Sequence, residues 1–145
     1  MSVPMSKPAP QPTPETQAYW DGVADGKLRL QRCTACGKVR HYQQLVCAQC
    51  YAFGVEWIEA SGRGTVHSWT VAHHAFHPAF KFELPYTLVT VDLAEGPRAL
   101  GRLDPDAPDR LRIGLPVQLS FPRNEDGHPL PVFTLTDAAA DSEEK

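Results

Sequence analysis

Two Cys-x-x-Cys pairs are the residues of this sequence best suited to chemistry. They are Cys33 with Cys36 and Cys47 with Cys50, separated by a ten-residue loop. Four thiolates at this spacing can surround one zinc ion tetrahedrally, at about 2.3 Å from the metal. The alternative is a pair of disulfides in a secreted protein. We favour the metal site, because the chain contains no other cysteine and its start, MSVPMSKPAPQPTPE, lacks the apolar segment of a secretory signal.

The expected zinc site is structural. Catalytic zinc keeps one coordination position open for water or substrate, whereas four cysteines fill the coordination sphere. Metal binding can order a segment that has few apolar residues of its own, and residues 31–52 form such a segment. Arg32, Lys38 and Arg40 adjoin the cysteines. We attribute them to partial compensation of the thiolate charge, with a phosphate site as the alternative.

Overall charge and composition limit the function classes. The 145 residues carry a net charge of −3, which argues against a protein whose main role is to bind nucleic acid. The hydrophobic content of 42% is sufficient for a globular core. No stretch approaches the roughly 18 to 20 apolar residues of a membrane span. We therefore expect a cytoplasmic protein without a membrane or nucleic-acid partner.

The composition divides the chain into four parts. Residues 1–14 are rich in proline and are expected to form a disordered leader, and residues 137–145 an acidic disordered tail. Residues 15–54 are expected to contain a helix and the zinc ribbon. Residues 55–136 are expected to form a β-barrel of the oligonucleotide/oligosaccharide-binding (OB) type.

One helix is predicted before the cysteines. The tripeptide 13–15, Thr-Pro-Glu, resembles a helix start, and Gly26 is suited to end the helix. Its apolar stripe contains Tyr19, Trp20 and Val23. This stripe either packs on its own domain or contacts a partner subunit.

Alternating apolar and polar residues predict strands in the rest of the chain, so the expected fold class is mainly β. KLRLQRC leads into the first cysteine pair, and KVRHY starts a return hairpin. Turn signals at Glu95-Gly96 and Asp126-Gly127 separate later strands. Five or six short strands in this region favour a closed barrel, because closure removes exposed edges. The segments are VEWIEA, TVHSWTVA, PYTLVTVDLAEG, PRALGRL, LPVQLSF and PLPVFTL.

A long loop rich in histidine and phenylalanine is the strongest candidate for a functional surface. Its sequence is VAHHAFHPAFKFELPY. Imidazoles could bind metal or transfer protons, but Pro78 opposes a helix that would align His73 with His77. Long aromatic loops in compact barrels are often functional, and an exposed apolar cluster favours protein contact over bond making. The candidate interface residues here are His73, His74, Phe76, His77 and Phe80, with packing and direct catalysis as the alternatives.

Arginines of the barrel form a second candidate set. Arg98 and Arg102 lie four residues apart and are predicted to share one face of a strand. Guanidinium groups suit the phosphates of coenzyme A, although a solvated barrel surface would have the same composition. We predict no catalytic residue, because the sequence contains no motif for a nucleophile or for phosphate cradling.

The order of these segments resembles a known family. Its members join a rubredoxin-like zinc ribbon to an OB barrel and serve as accessory subunits of thiolases, thiolase-like aldolases and hydratases that act on CoA thioesters. The resemblance covers about residues 15–135, through GKLRLQRCTACGKVRHYQQLVCAQC, SGRGTVHSWTV, LPYTLVTVDLAEGPRALGRL and IGLPVQLSF. It implies a hetero-oligomer in which the large partner supplies the catalytic groups. This chain would stabilise the partner and shape its acyl-CoA site, with a CoA thioester as a ligand of the complex.

Two other functions are compatible with the same elements. OB barrels and zinc ribbons also bind single-stranded nucleic acid, but that activity favours a basic groove with interleaved aromatic residues. A stand-alone acyl-CoA carrier or hydrolase is the weaker alternative. Fold analogy does not separate these functions, because the site determines function.

Overall fold

The described part of the chain is built mostly from β-strands, which confirms the predicted fold class. The computed structural model describes residues 8–123 and 129–136. The predicted tail and half of the predicted leader lie outside these residues, as does Asp126-Gly127. The elements are α1 (Gln17–Ala24), β1 (Arg29–Cys33), β2 (Val39–Arg40), β3 (Val55–Glu59), β4 (Arg63–Ala72), β5 (Tyr86–Leu93), β6 (Arg98–Leu103), β7 (Pro116–Ser120) and β8 (Val132–Leu135). Short 3₁₀ helices at Pro78–Glu83 and Pro108–Arg110 were not predicted.

Helix α1 begins later than its sequence suggested. The Thr16 N–H donates to the Thr13 carbonyl at 3.0 Å, so residues 13–16 form a separate turn. The Thr16 hydroxyl accepts a hydrogen bond from the Thr13 backbone N–H at 2.9 Å, and the helix starts at Gln17. Its end agrees with the prediction, because Gly26 adopts a φ of +75° just after the last turn.

Strands β4 to β8 form a closed barrel in the order β4-β5-β6-β8-β7. All neighbours are antiparallel except β6 and β8, which pair in parallel from Arg102 and Val132. This is the strand order of an OB barrel. Buried and less buried residues alternate along β5 and β6, as the sequence pattern predicted. The barrel is tightly packed at Gly101, where an added Cβ would lie 2.7 Å from the Phe133 ring.

One predicted barrel strand belongs to the other sheet. The segment VEWIEA was expected in the barrel, but β3 pairs with β1 through all five of its residues. With β2 on the other side of β1, it forms a three-stranded antiparallel sheet beside the cysteines. An alternating pattern identifies a strand without identifying its neighbour, which is why the sequence did not reveal this pairing.

A single apolar core connects the helix, the ribbon sheet and the barrel. Tyr19 and Val23 of α1 and Leu30 of β1 belong to the same buried cluster as the barrel residues Val89 and Phe133. The helix and ribbon are therefore stabilised by packing on the barrel as well as by their own contacts. In the described residues, no helix is long and apolar enough to cross a membrane.

Candidate metal centre and adjoining surfaces

The four cysteine sulfurs meet in one cluster, as their spacing predicted. The Sγ atoms of Cys33 and Cys50 are 3.5 Å apart, and those of Cys36 and Cys47 are 3.7 Å apart. All four lie within 4.8 Å of one another. A tetrahedron with 2.3 Å metal–sulfur bonds has edges of about 3.8 Å, whereas a disulfide requires about 2.05 Å. The geometry therefore fits a tetrahedral metal ion with four sulfur ligands.

The first cysteine pair lies in a turn with a defined hydrogen-bond pattern. The Cys33 N–H donates to the Lys38 carbonyl at 2.9 Å, and the Gly37 N–H donates back to the Cys33 carbonyl at 2.9 Å. Gly37 has a φ of +80°, a conformation that glycine adopts without steric cost. The turn holds Cys33 and Cys36 on the same side of the loop.

The second cysteine pair repeats this pattern, with a residue other than glycine at the position of positive φ. The Cys47 N–H donates to the Ala52 carbonyl at 2.9 Å, and the Tyr51 N–H donates to the Cys47 carbonyl at 2.8 Å. Tyr51 occupies the position of Gly37 and has a φ of +63°. This conformation is unfavourable for a residue with a Cβ and is retained where the surrounding structure imposes it.

The backbone of the two turns favours thiolates at some positions. The N–H of Cys50 lowers the pKa of Cys47 to about 6, and the N–H of Cys36 lowers the pKa of Cys33. Cys50 behaves differently. The hydrogen bond from the Ala52 N–H lowers its pKa, but the neighbouring thiols, Cys33 foremost, and burial together raise that pKa to about 12. Four close sulfurs resist carrying four negative charges, and a divalent cation removes that repulsion.

The basic residues near the cysteines have separate surroundings. Arg32 bonds to Glu56 across the β1–β3 pair, with its Nε 2.6 Å from Oε1. Arg40 is only 6% exposed and donates from Nε to the Gln31 side-chain oxygen at 2.8 Å. Lys38 makes no ion pair with any described residue and is exposed. Arg32 is therefore compensated locally, whereas Arg40 and Lys38 lack a carboxylate partner among the described residues.

The histidine-rich loop leaves β4 and forms the 3₁₀ helix Pro78–Glu83. His77 caps this helix, because its Nδ1 accepts a hydrogen bond from the Ala79 N–H at 3.1 Å. His73 and His74 are exposed, and the His74 ring contacts the Phe76 ring edge-on at 4.6 Å. Phe76 and Phe82 are 91% and 93% exposed. The structure does not gather the three histidines into a metal site, and the loop presents aromatic rings to solvent.

An apolar groove of about 380 Å³ lies between this loop and the β7–β8 connection. It is lined by Phe80 of the loop, by Tyr86, Leu88 and Leu100 of β5 and β6, and by Pro122. OB barrels commonly bind ligands at this face, on their second and third strands. The sequence indicated Phe80 but not the groove, because its walls come from segments far apart in the chain.

Arg98 and Arg102 share the outer face of β6, as predicted. Both already have carboxylate partners: Arg98 Nε donates to Asp92 at 2.8 Å, and Arg102 forms an ion pair with Glu83. The Arg102 guanidinium also lies 4.7 Å from the centre of the Tyr86 ring. Arg102 lines the apolar groove, whereas Arg98 lines a different cleft. The two side chains therefore face separate cavities.

The helix contributes one of its two predicted contact residues to the surface. Tyr19 is 6% exposed and packs in the core, edge-on against Trp20 at 4.9 Å. Burial and the neighbouring Tyr42 phenol raise the pKa of Tyr19. Trp20 is half-buried against the same core. We therefore retain Trp20 and remove Tyr19 from the expected contact surface.

The ribbon presents a second apolar surface that the sequence analysis missed. Leu45, Tyr51 and Phe53 are 66%, 76% and 75% exposed and surround the second cysteine pair. Exposed apolar residues grouped in this way are typical of interaction surfaces. Metal binding explains why this loop contains cysteines, but it does not explain why these three apolar side chains are exposed.

A four-cysteine ribbon that shares its core with a five-stranded OB barrel defines the structural class of this protein. Comparison with known protein families gives the same two parts, with the boundary between the two matches inside β3. Residues 20–56 match the ChsH2 rubredoxin-like zinc ribbon domain, and residues 57–122 match the ChsH2 C-terminal OB-fold domain. The chain belongs to this zinc ribbon and OB-fold (DUF35) family.

Three relatives place the chain within this family. A probable enoyl-CoA hydratase alpha subunit from Thermomonospora curvata is 38% identical over 127 residues, which are 88% of this chain and 39% of that protein. A DUF35 domain-containing scaffold protein from Methanothermobacter thermautotrophicus is 32% identical, over 74% of this chain and 81% of the other. A chain of the Ltp2-ChsH2(DUF35) aldolase structure is 37% identical, covers 87% of this chain and 98% of that chain, and has a TM-score of 0.77.

Proposed function

We propose that this chain is a zinc-containing accessory subunit of an acyl-CoA-processing enzyme. The partner is a larger subunit of the thiolase, thiolase-like aldolase or hydratase class, and it supplies the catalytic groups. The chain stabilises this partner and helps to shape the site for the CoA thioester. The observation that carries the proposal is the similarity to the Ltp2-ChsH2(DUF35) aldolase chain, which extends over nearly all of that chain.

The relatives support a subunit role more directly than any one substrate. The hydratase relative is described as an alpha subunit and the archaeal relatives as scaffold proteins. The chain spans 39% of the length of the hydratase relative, so the remaining part of that protein has no counterpart in the match. These relatives support a subunit role for this chain beside a partner of the hydratase or aldolase class.

The surface of the chain supports contact with another protein. Phe76 and Phe82 project from the loop beside the apolar groove, and Tyr51 and Phe53 project from the ribbon. Aromatic residues are enriched at the centres of protein interfaces. Trp20, His73 and His74 lie among the further proposed contacts.

The proposed zinc ion has a structural role. All four ligands are cysteines of this chain, and their geometry closes the coordination sphere. When bound, the ion neutralises thiolate charge and fixes the two loops of the ribbon. Cys33, Cys36, Cys47 and Cys50 hold it, and none of them is free for nucleophilic chemistry.

The nucleic-acid alternative receives little support from the barrel surface. A single-strand binder tracks the phosphate backbone with a basic groove and stacks bases on aromatic residues. At the apolar groove the guanidinium of Arg102 is paired with Glu83, and the whole chain has a net charge of −3. We also propose a cytoplasmic location, which suits cysteines that bind metal.

Purification from the native cell tests the proposed function. A tagged chain is expected to retain a larger thiolase-like, aldolase-like or hydratase-like protein, and the complex is expected to turn over an acyl-CoA substrate. The isolated zinc-loaded chain is expected to show no thioesterase or thiolase turnover. Enzyme-like turnover by the isolated chain, or retention of nucleic acid in place of a protein partner, would overturn the proposal.

A further inference from the structure

A second cleft, of about 520 Å³, lies where the ribbon meets the barrel. The ribbon contributes Lys38, Arg40 and His41, the turn between β5 and β6 contributes Pro97, and β6 contributes Arg98. The described lining residues include three cations and no carboxylate. This concentration of positive charge is unusual for a chain whose net charge is −3.

The buried guanidinium of Arg40 lacks a negative partner among the described residues. Its Nε and Nη2 donate to neutral acceptors, the Gln31 side-chain oxygen at 2.8 Å and the Gln44 carbonyl at 3.0 Å. Its Nη1 has no hydrogen-bond partner in the described part of the chain. A guanidinium remains charged at any physiological pH, and burying it without a counter-charge is costly. Arg40 therefore lacks a negative partner among the described residues, although it lines the cleft.

Two further side chains extend this polar surface. His41 lines the cleft, and its buried Nδ1 has no partner among the described residues. Burial lowers the pKa of His41 to about 4, so the ring is neutral near pH 7 and contributes a hydrogen-bonding atom without a charge. Arg98, on β6, adds a third cation, which is paired with Asp92 at 2.8 Å.

We propose that this cleft binds a phosphate group between the zinc ribbon and the β5–β6 turn. The proposal does not depend on the partner subunit, because every group involved belongs to this chain. Guanidinium and ammonium groups suit phosphate oxygens, and the cleft is large enough for more than an isolated ion. Lys38 and Arg98 approach from the two modules, so the ligand would also bridge the ribbon and the barrel.

The main alternative is that these cations only balance the thiolates of the metal centre. Ala48, next to the second cysteine pair, lines the same cleft, so the two regions are close. Arg98 distinguishes the alternatives, because it belongs to the barrel and not to the ribbon. Removing its charge should change phosphate affinity while leaving metal binding intact.

The test is calorimetric titration of the zinc-loaded full chain with inorganic phosphate, ADP and uncharged adenosine, with zinc content measured in parallel. Lys38→Gln and Arg98→Gln are the test variants, and Arg40 is left unchanged because its hydrogen bonds support the ribbon. Lys27→Gln and Arg32→Gln are matched controls: they also remove one charge each, but Lys27 and Arg32 pair with Glu59 and Glu56 away from the cleft.

The expected result is binding of phosphate or ADP that each test variant weakens by about tenfold and neither control changes. ADP binding much more tightly than inorganic phosphate would identify a nucleotide ligand, and equal affinities would identify free phosphate. Three results would overturn the proposal. The first is that neither anion binds up to about 10 mM, and the second is that the test and control variants weaken anion binding equally. The third is that Lys38→Gln loses zinc while the anion affinity of both test variants is unchanged.

Discussion

The Tyr42 hydroxyl accepts a hydrogen bond from the backbone N–H of Leu100 at 2.9 Å, which connects the ribbon directly to the barrel. Leu100 pairs with Thr90 on β5, whereas β8 pairs with β6 only from Arg102 onward. The phenol therefore satisfies an N–H that would otherwise face solvent at a gap in the barrel. Tyr42 follows His41, and the centres of their two rings lie 3.7 Å apart with an angle of 32° between the ring planes.

Replacing Tyr42 with phenylalanine should weaken this junction. We expect Tyr42→Phe to lower the free energy of unfolding by about 1 kcal/mol, since it removes one hydrogen bond and retains the ring. Hydrogen exchange at the Leu100 amide should become faster. Tyr51→Phe is the control, because its hydroxyl has no hydrogen-bond partner among the described residues and its ring is 76% exposed. Unchanged exchange at Leu100 in Tyr42→Phe would contradict the assigned contact.

Loss of one cysteine ligand should release the metal. We expect Cys36→Ser or Cys47→Ser to reduce bound zinc well below one ion per chain and to unfold the ribbon, because three sulfurs hold the ion poorly and its binding energy contributes to folding. The measurements are metal content after gel filtration and thermal unfolding. Ala35→Ser, an exposed position between two ligands, is the control. Full zinc content in either cysteine variant would disprove the four-sulfur site.

The two cysteine turns should respond oppositely to substitution at their equivalent positions. Gly37→Ala places a Cβ at a φ of +80° and should destabilise the ribbon by about 1 kcal/mol, whereas Tyr51→Gly relieves the same conformation and should be neutral or stabilising. Denaturant unfolding of the zinc-loaded variants measures both effects. A large destabilisation by Tyr51→Gly would mean that contacts of the Tyr51 ring outweigh the backbone strain.

His41 should make stability depend on pH between about 4 and 6.5. Burial lowers its folded-state pKa to about 4, below the value of about 6.5 in an unfolded chain. The unfolded state then binds the proton more readily, so the contribution is fully present above pH 6.5 and is lost as the pH falls towards 4. The maximum loss is about 3 kcal/mol.

Comparison of the wild-type chain with the His41→Phe variant isolates the pH dependence due to His41. Protonation of the cysteines affects the stability of both chains and so does not contribute to the difference between them. Unfolding is measured in phosphate-free buffer from pH 7.5 to 5. The stability difference between the two proteins should shift in favour of His41→Phe as the pH falls. A difference that does not vary with pH would show that the His41 ring is not buried in its neutral form.

The exposed aromatic residues of the histidine-rich loop should matter for assembly and not for folding. We expect Phe76→Ser and Phe82→Ser to reduce recovery of the partner subunit by about tenfold while leaving zinc content and thermal stability unchanged. Ile113→Ser, at an apolar position that is 76% exposed on the β6–β7 connection, is the control. Equal recovery in all three variants would remove this loop from the proposed interface.

Local patterns predicted most of the elements but not their neighbours. The spacing of the cysteines was sufficient for the metal cluster, and alternation identified the strands, because both signals involve residues close in sequence. The pairing of β3 with β1 and the burial of Tyr19 depend on packing between distant segments. The sequence offered a phosphate site as an alternative for Lys38 and a phosphate role for Arg98, but not one cleft for both. The two residues share a cleft only through the contact between the ribbon and the barrel.

The continuous core has a consequence for how the cell would handle this protein. Because α1 and β1 contribute to the same buried cluster as the barrel strands, a chain that has not acquired its ion would leave barrel side chains uncovered. Such a molecule is a target for chaperones and proteases. Under the proposed function, the supply of metal would thereby limit how much of the complex accumulates.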